Sequence, residues 1–286
     1  MTSPFIQIRT AAPNTPIRAL VLDSPHSGTH YPSDFDYAVA LQDLRQAEDT
    51  HVDTLFSFAP SLGVTLLDAL FPRSYIDLNR SSGDIDEALL STHWPEPIQA
   101  SDKARLGKGL VWRMLDDGQI IYNRMLSVDE VRYRIHTYWV PYHQALKQLL
   151  NDTYQQHQCV MHINCHSMPS IADVYSTEHP GLEHPDIVLG DRDGSTADPR
   201  ITDFLRNAFS ELGYTCWVNH PYKGVELVKA YSDPAQNKHS IQLEINRRLY
   251  LNEATRELLP EYRGLQTHLQ QILLALDQYI HDYFIP

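Results

Sequence analysis

Short apolar runs alternate with longer amphipathic stretches along this chain. Strand-sized apolar runs, each bounded by turn-forming residues, predict β-strands at 17–23, 64–69, 73–78, 159–165, 187–189, 214–218 and 240–245. Helical periodicity predicts helices at 38–47, 52–62, 127–152, 199–212 and 254–283, the last with a break near Pro260. Because the strands alternate with helices, the pattern predicts an α/β fold, with a mainly parallel or mixed sheet and helices on both faces.

The helix predicted at 127–152 carries the clearest local signals. Ser127 is followed three residues later by Glu130, which is the spacing of a capping box at a helix start. Pro141 lies inside the same helical pattern and should kink or split it, because proline cannot donate the backbone hydrogen bond that a helix interior needs.

The predicted elements run through residues 1–286 without a convincing linker, and we expect one domain. The stretch at about 81–126 is different, because it is polar and contains Gly, Pro and Asp. We interpret it as a long excursion over the surface. Loops of that length are uncommon unless they serve a functional site.

Composition limits the partners that this chain can have. The formal net charge of −13 repels phosphate backbones and anionic membranes, so we expect neither nucleic acid nor a membrane as a partner. Three cysteines without a Cys-x-x-Cys pair, and no basic and apolar leader at the N-terminus, predict a cytoplasmic location. An anionic substrate would need a local cluster of Arg or Lys. The oligomeric state stays open.

Polar side chains that can hold a metal ion lie at the ends of the apolar runs. His26 follows the first strand, Asp49 opens a helix, and His166 and Glu244 end later strands. Ligands of α/β sheets bind beyond the carboxyl ends of the strands, so we expect these residues in one cleft. Two imidazoles and a carboxylate that hold the metal, with a free glutamate for the proton, match a mononuclear zinc hydrolase.

The acidic ligand is the least certain member of this group. Asp49 and Thr50 could instead cap the helix that begins near Val52. His51 and Asp53 are competing donors, and the spacing does not choose among them.

Glu244 lies within an apolar strand, where an unpaired carboxylate is costly. One explanation for a carboxylate here is that Glu244 acts as a general base beside a metal ion. A salt bridge to Arg247 or Arg248 is the alternative.

A basic group could bind an anionic substrate. Arg73 begins the predicted strand 73–78 and the pair Asn79-Arg80 follows it, and arginine binds a carboxylate through two nitrogens. The alternative is a structural pairing with Asp77. Lys223 lies in a second loop that could approach the substrate.

Taken together, these segments resemble the N-formylglutamate amidohydrolase family. The resemblance extends from about residue 20 to residue 250 and is carried by segments in one order: 24–28, 49–50, Arg73 with 76–80, 141–143, 165–167, Asn219 with 221–224, and 242–244. A fainter similarity reaches the zinc carboxypeptidases. Those enzymes have a compact His-x-x-Glu ligand pair, whereas this chain has Thr29 at the second position, so the acidic ligand must lie further along.

The resemblance implies a role for each of these residues. It implies that one Zn²⁺ ion, or another divalent metal, is bound by His26, Asp49 and His166. Asn79 and Arg80 would then hold a substrate carboxylate. The same resemblance implies that Arg73 stabilises the oxyanion and that Glu244 is the general base. A substrate with two carboxylates needs a second cation, and the candidates are Lys223, Arg113 and Arg247.

The implied activity is zinc-dependent hydrolysis of N-formyl-L-glutamate to formate and L-glutamate, a step of histidine degradation. The first alternative is another metal-dependent amidase or a carboxypeptidase-like hydrolase of acidic N-acyl amino acids. The second is a non-catalytic binding module for acidic amino acids that has kept the cleft.

Overall fold

The computed structural model describes residues 3–172 and 180–285, and its centre is a mixed sheet. The seven strands of this sheet are β1 (Ile6–Arg9), β2 (Leu20–Ser24), β3 (Thr65–Ala69), β4 (Val160–Met168), β5 (Ile187–Gly190), β6 (Cys216–Val218) and β7 (Lys238–Asn246). Their spatial order is β1-β3-β2-β4-β7-β5-β6. The four inner strands β3, β2, β4 and β7 are parallel, whereas β1 and the β5–β6 pair run antiparallel to them. The predicted mixed α/β sheet is confirmed.

Helices cover both faces of the sheet. They are α1 (Leu41–Leu44), α2 (Val52–Leu55), α3 (Asp102–Arg105), α4 (Val128–Arg134), α5 (Val140–His157), α6 (Pro199–Glu211), α7 (Glu226–Tyr231) and α8 (Tyr262–Phe284). Helices α2, α6 and α8 pack with one face in a large hydrophobic cluster. Helices α4 and α5 pack against the other face in a second cluster.

The two faces of the central strands differ in chemistry although both are buried. On β4, Met161, Ile163 and Cys165 point into the first cluster, and the alternate positions 162, 164 and 166 are polar. Strand β7 repeats this alternation, with polar residues at 240, 242 and 244. Because side chains alternate between the faces of a strand, the polar residues share the face that α5 covers. That face carries the candidate site.

The prediction of a strand at 73–78 is wrong. Residues 72–80 form consecutive turns, in which Tyr75 N bonds to Pro72 O and Arg80 N bonds to Asp77 O. Asn79 N also donates a hydrogen bond to Asp77 Oδ1, which forms an Asx turn. This turn uses a backbone N–H that a strand would need for pairing in a sheet. The apolar residues of this segment are buried in the second hydrophobic cluster, although the segment is a loop and not a strand.

Several predicted boundaries also differ from the structure. The helix predicted at 38–47 is a short α-helix followed by a 3-10 turn, and the one at 52–62 is interrupted before Pro60. The last helix begins at Tyr262, after the expected break near Pro260. Strand β1 and helix α7 were not predicted, because a four-residue edge strand and a six-residue helix are too short to show a clear period.

The long helix pattern after Ser127 is split as expected. Ser127 and Glu130 form both hydrogen bonds of a capping box. A π-helical turn at Ile135–Trp139 separates α4 from α5. Pro141 follows this turn directly as the second residue of α5, and a proline without an N–H accounts for an interruption of the regular helical hydrogen bonds here.

The segment 81–126 contains a 3-10 turn at Glu87–Leu89, helix α3 and isolated bridges. Its apolar side chains are nevertheless buried in the second hydrophobic cluster, among them Leu90, Trp112 and Tyr122. The segment therefore packs onto the sheet domain and also lines the candidate site. The single-domain organisation over residues 1–286 stays a prediction.

Within the described part of the chain, none of the helices combines the length and the apolar character that crossing a bilayer requires.

We expect Ser127→Ala to lower the free energy of unfolding by about 1 kcal/mol, because the capping box satisfies two backbone N–H groups at the start of α4. Urea unfolding measures the loss. Ser210→Ala is the matched control, since Ser210 is an exposed serine within α6. Equal losses in both variants would contradict the capping role.

Candidate active site

Three buried side chains converge beyond the carboxyl ends of the central strands. His26 follows β2, Asp49 precedes α2, and His166 lies near the end of β4. The Nδ1 atoms of His26 and His166 lie 3.3 Å and 3.0 Å from Asp49 Oδ2. One ligand atom from each residue falls within 4.8 Å of the others, a group that could hold a metal ion. The structure thus brings together the three residues expected at this site.

The loop that carries His26 depends on a glycine. A Cβ atom at Gly28 would lie 2.3 Å from the backbone of Leu70 and Phe71, so the loop can pack against the chain after β3 only without a side chain. The loop is also joined to the Asp49 segment, because Asp49 N donates to His26 O and Ser27 Oγ donates to Asp49 O. Sequence-distant ligands are therefore held by backbone contacts.

The protonation of His26 follows from its outer partner. Its Nε2 lies 2.8 Å from Asp77 Oδ1. Burial alone would raise the pKa of Asp77, but Arg73 and His26 outweigh it and hold the pKa well below its usual value. An ionised carboxylate only accepts hydrogen bonds, so Nε2 carries the proton and Nδ1 presents a lone pair.

His166 reaches the same state through a neutral partner. Asn164 Nδ2 donates to Asp23 Oδ1 at 2.7 Å, which directs Asn164 Oδ1 toward His166 Nε2, also at 2.7 Å. Nε2 must therefore donate, which leaves the Nδ1 lone pair on the side of Asp49, where a metal ion would bind. Tyr142 and His162 hold Asp23 from the other side. Metal-bound histidines usually have such outer partners, so the donor set fits a divalent ion.

The acidic position of the group is occupied by Asp49. Burial alone would raise its pKa, but the close contacts with the His166 and His26 rings and the charge of Arg73 hold the pKa well below the usual value, which keeps a ligand charge available. The capping alternative is not observed, since α2 begins after His51 without a side-chain cap. His51 instead contacts Arg256 O, and both His51 and Asp53 lie outside the group.

Glu244 is buried beside this group and stays outside it. Its Cα is the register partner of His166, and its Oε1 accepts from Gln242 Nε2 at 2.7 Å. Burial raises the pKa of Glu244 above its ordinary value, which suits a proton acceptor. The salt-bridge alternative is wrong, because Arg247 pairs with Asp49 and Arg248 pairs with Asp186.

Arg73 and Arg80 line the cavity over this group. Arg73 donates two hydrogen bonds to Asp77 Oδ2 and lies over the ring of Trp112. Its structural pairing with Asp77 is thus observed, and it links Arg73 to the outer partner of His26. Arg80 donates to two backbone carbonyls, and burial lowers its pKa, which favours a bound anion nearby.

The remaining predicted binding residues are already engaged. Asn79 accepts from Leu227 N and donates to Gln242 Oε1, so its amide orients neighbours of Glu244. Arg247 donates to Asp49 Oδ1 and to Ser167 Oγ, so it steadies the carboxylate at the metal site.

The two other cations expected at the site lie further out. Lys223 lines the cavity at its edge, where it pairs with Asp193. Arg113 pairs with Asp86 and does not line the cavity in the described residues.

The cavity has a volume of about 1400 Å³ and is lined by both polar and apolar side chains. Some residues of this site were missed as participants: Asn164, Gln242 and Asp77 as outer partners, and Arg256 in the cavity wall. Period-2 alternation on β4 and β7 could have placed Asn164 and Gln242 on the site face. No local signal distinguishes Arg256.

Comparison with known proteins agrees with this geometry. The profile of the N-formylglutamate amidohydrolase family matches residues 18–251, which is most of the chain. Together with the fold, this family match defines an α/β amidohydrolase that acts on a linear amide. The chain belongs to the N-formylglutamate amidohydrolase family.

Individual relatives cover nearly the whole chain. The crystal structure of an N-formylglutamate amidohydrolase from Ralstonia eutropha JMP134 is 42% identical, covers 99% of each chain and superposes with a TM-score of 0.92. The N-formylglutamate deformylase of Pseudomonas putida is 28% identical over 90% of this chain and 91% of its own length. That of Pseudomonas aeruginosa is 27% identical over 82% of each.

We expect Gly28→Ala to weaken divalent-metal binding at least tenfold and to destabilise the fold, because the added Cβ would push the His26 loop off the chain after β3. Competition with a chelating dye measures the metal affinity, and urea unfolding measures stability. Gly264→Ala is the control, since a Cβ at that helical position meets open space. Unchanged metal affinity in Gly28→Ala would contradict the argument.

We expect Asn164→Leu to weaken metal binding about 10- to 100-fold, because His166 loses the acceptor that sets its tautomer. The same dye competition measures this. Ile163→Val is the control, because it alters the apolar face of the same strand and only costs about 0.5–1.5 kcal/mol of stability. If both variants bound metal like the original protein, the outer-partner role of Asn164 would be refuted.

Proposed function

We propose that this chain hydrolyses N-formyl-L-glutamate to formate and L-glutamate with one bound zinc ion. The observation that supports this most directly is the buried His26–Asp49–His166 group beside an uncoordinated Glu244. The names of the family and of its relatives support the substrate. Two imidazole nitrogens and a carboxylate, with an open side toward the cavity, are a donor set typical of catalytic zinc.

Glu244 is the proton carrier in this proposal. When bound, zinc supplies Lewis-acid chemistry, which acidifies water and polarises a carbonyl group. Glu244 accepts the proton of the attacking water and delivers it to the amide nitrogen as the C–N bond breaks. Its raised pKa favours the protonated form between these two steps. Gln242 holds the carboxylate in place through the 2.7 Å hydrogen bond to Oε1.

The arginines provide charge where the substrate is anionic. Arg80 binds the α-carboxylate, to which its buried guanidinium gives a charge-assisted contact. Arg73 stabilises the oxyanion that forms on the formyl oxygen, and Asp77 keeps its guanidinium oriented. Asn79 and Arg247 line the same cavity, where they also support the positions of Gln242 beside Glu244 and of Asp49.

A second candidate function is hydrolysis of larger acidic N-acyl amino acids. It is favoured by the cavity volume of about 1400 Å³, which far exceeds one N-formylglutamate molecule. Formate release from N-formyl-L-glutamate, compared with acid release from N-acetyl and longer N-acyl derivatives, separates the two. A cytoplasmic location and a role in histidine degradation accompany the first function as predictions.

We expect Glu244→Gln to lower kcat for N-formyl-L-glutamate about 10²- to 10⁴-fold with zinc binding retained, because the amide cannot carry the proton. Formate release measures activity, and metal analysis measures zinc. Glu211→Gln is the control, since Glu211 is exposed at the end of α6. Removal of metal by a chelator should abolish activity, and added zinc should restore it. A non-catalytic binding module would release no formate in any of these samples.

A further inference from the structure

Basic side chains line the cavity on several sides, and most of them have a carboxylate partner. The ion pairs are Arg45–Glu48 at 3.2 Å, Arg73–Asp77 at 2.9 Å, Arg80–Asp84 at 3.8 Å, Lys223–Asp193 at 2.9 Å, Arg247–Asp49 at 3.2 Å, and Lys108–Asp116. These cations are partly neutralised before any substrate arrives. A cation that has no carboxylate partner would attract a substrate carboxylate more strongly than these paired cations do.

Arg256 is different from these residues. It is half-buried in the cavity wall, and its NH1 donates to the neutral Thr50 Oγ1 at 3.1 Å. Throughout residues 3–172 and 180–285, no carboxylate lies within 4 Å of its guanidinium. A cation that is removed from water without a partner is costly. A ligand carboxylate would offset that cost.

The surroundings of Arg256 carry excess positive charge. Burial and then the neighbouring Arg247 lower the pKa of Arg256, and Arg45 adds to the effect. Glu48, the acid whose charge acts on Arg256, already accepts hydrogen bonds from Arg45, Tyr31 and Thr50. The guanidiniums of Arg45, Arg247 and Arg256 thus share two carboxylates, those of Glu48 and Asp49. Asp49 also belongs to the metal group. The local field attracts an anion.

The backbone holds Arg256 in an unusual conformation at this place. Arg256 and His51 both have left-handed backbone angles, with φ of +60° and +65°. His51 Nε2 donates to Arg256 O at 3.1 Å, and Arg256 N donates to Asn252 O at 2.7 Å. Such conformations persist where surrounding contacts enforce them, often at ligand sites. They place the guanidinium against Thr50, one residue from Asp49.

We propose that Arg256 binds the side-chain carboxylate of the substrate and makes the enzyme select acidic N-acyl amino acids over neutral ones. This assignment rests on the proposed function. Arg80 binds the α-carboxylate. Arg256, which lies in the cavity wall beside Thr50, binds the side-chain carboxylate. The ligand class is therefore an N-acyl amino acid with a carboxylate on its side chain.

The test compares N-formyl-L-glutamate with N-formyl-L-glutamine, which has the same shape and a neutral side chain. We expect Arg256→Gln to raise KM for the glutamate substrate about 10- to 100-fold, since a charge-assisted hydrogen bond is lost. KM for the glutamine substrate should stay within twofold. Arg256→Lys, which keeps the charge, should recover part of the preference for glutamate.

Arg248→Gln is the matched control, because Arg248 is partly exposed and pairs with Asp186 away from the cavity wall. It should leave both KM values unchanged. A purely structural Arg256 would lower kcat/KM equally for both substrates, and that result, or no change at all, would overturn the proposal.

Failure of the proposed function has a different signature, because the original protein would then release formate from neither substrate. Calorimetric titration with glutarate, a dicarboxylate that needs no turnover, tests Arg256 in that case. Glutarate should bind at least tenfold more weakly to Arg256→Gln than to Arg248→Gln. Equal affinities would overturn the assignment independently of catalysis.

Discussion

The structure depends on a row of polar side chains that is buried on one face of the central strands. Asp23, His162, Asn164 and His166 hydrogen-bond to one another, and Gln242 with Glu244 continues the row on β7. Buried polar groups are tolerable only when they have partners, so these residues determine one another's orientation. This hydrogen-bonded row helps to fix a site in which both imidazoles direct Nδ1 toward Asp49.

Each member of the metal-binding group is oriented by a different partner. Asp77 orients His26, Asn164 orients His166, and Arg247 steadies Asp49. Asp77 also holds Arg73, so the outer support of a ligand and the position of a substrate-facing cation are coupled. Changes at such outer residues should therefore affect metal binding and substrate binding together, which distinguishes them from residues of the apolar cluster.

Charge in the cavity is distributed unevenly. Arginines near the metal group are mostly paired with acids, whereas Arg256 faces the cavity beside a neutral threonine. The chain as a whole is strongly acidic, with a net charge of −13, so a free dicarboxylate is repelled at long range. Selection of an anionic substrate must then come from a few local guanidiniums at short range.

The sequence by itself determined the α/β class, the capping box at Ser127 and the residue types of the metal group, because periodicity and strand-end positions are local properties. It did not determine that 73–78 is a series of turns, since an Asx turn and tertiary burial override the strand pattern there. Only the tertiary structure selected Asp49 over His51 and Asp53 and left Arg256 without an acid partner among the residues that the structure describes. Those outcomes depend on which distant segments meet, and no local pattern encodes that.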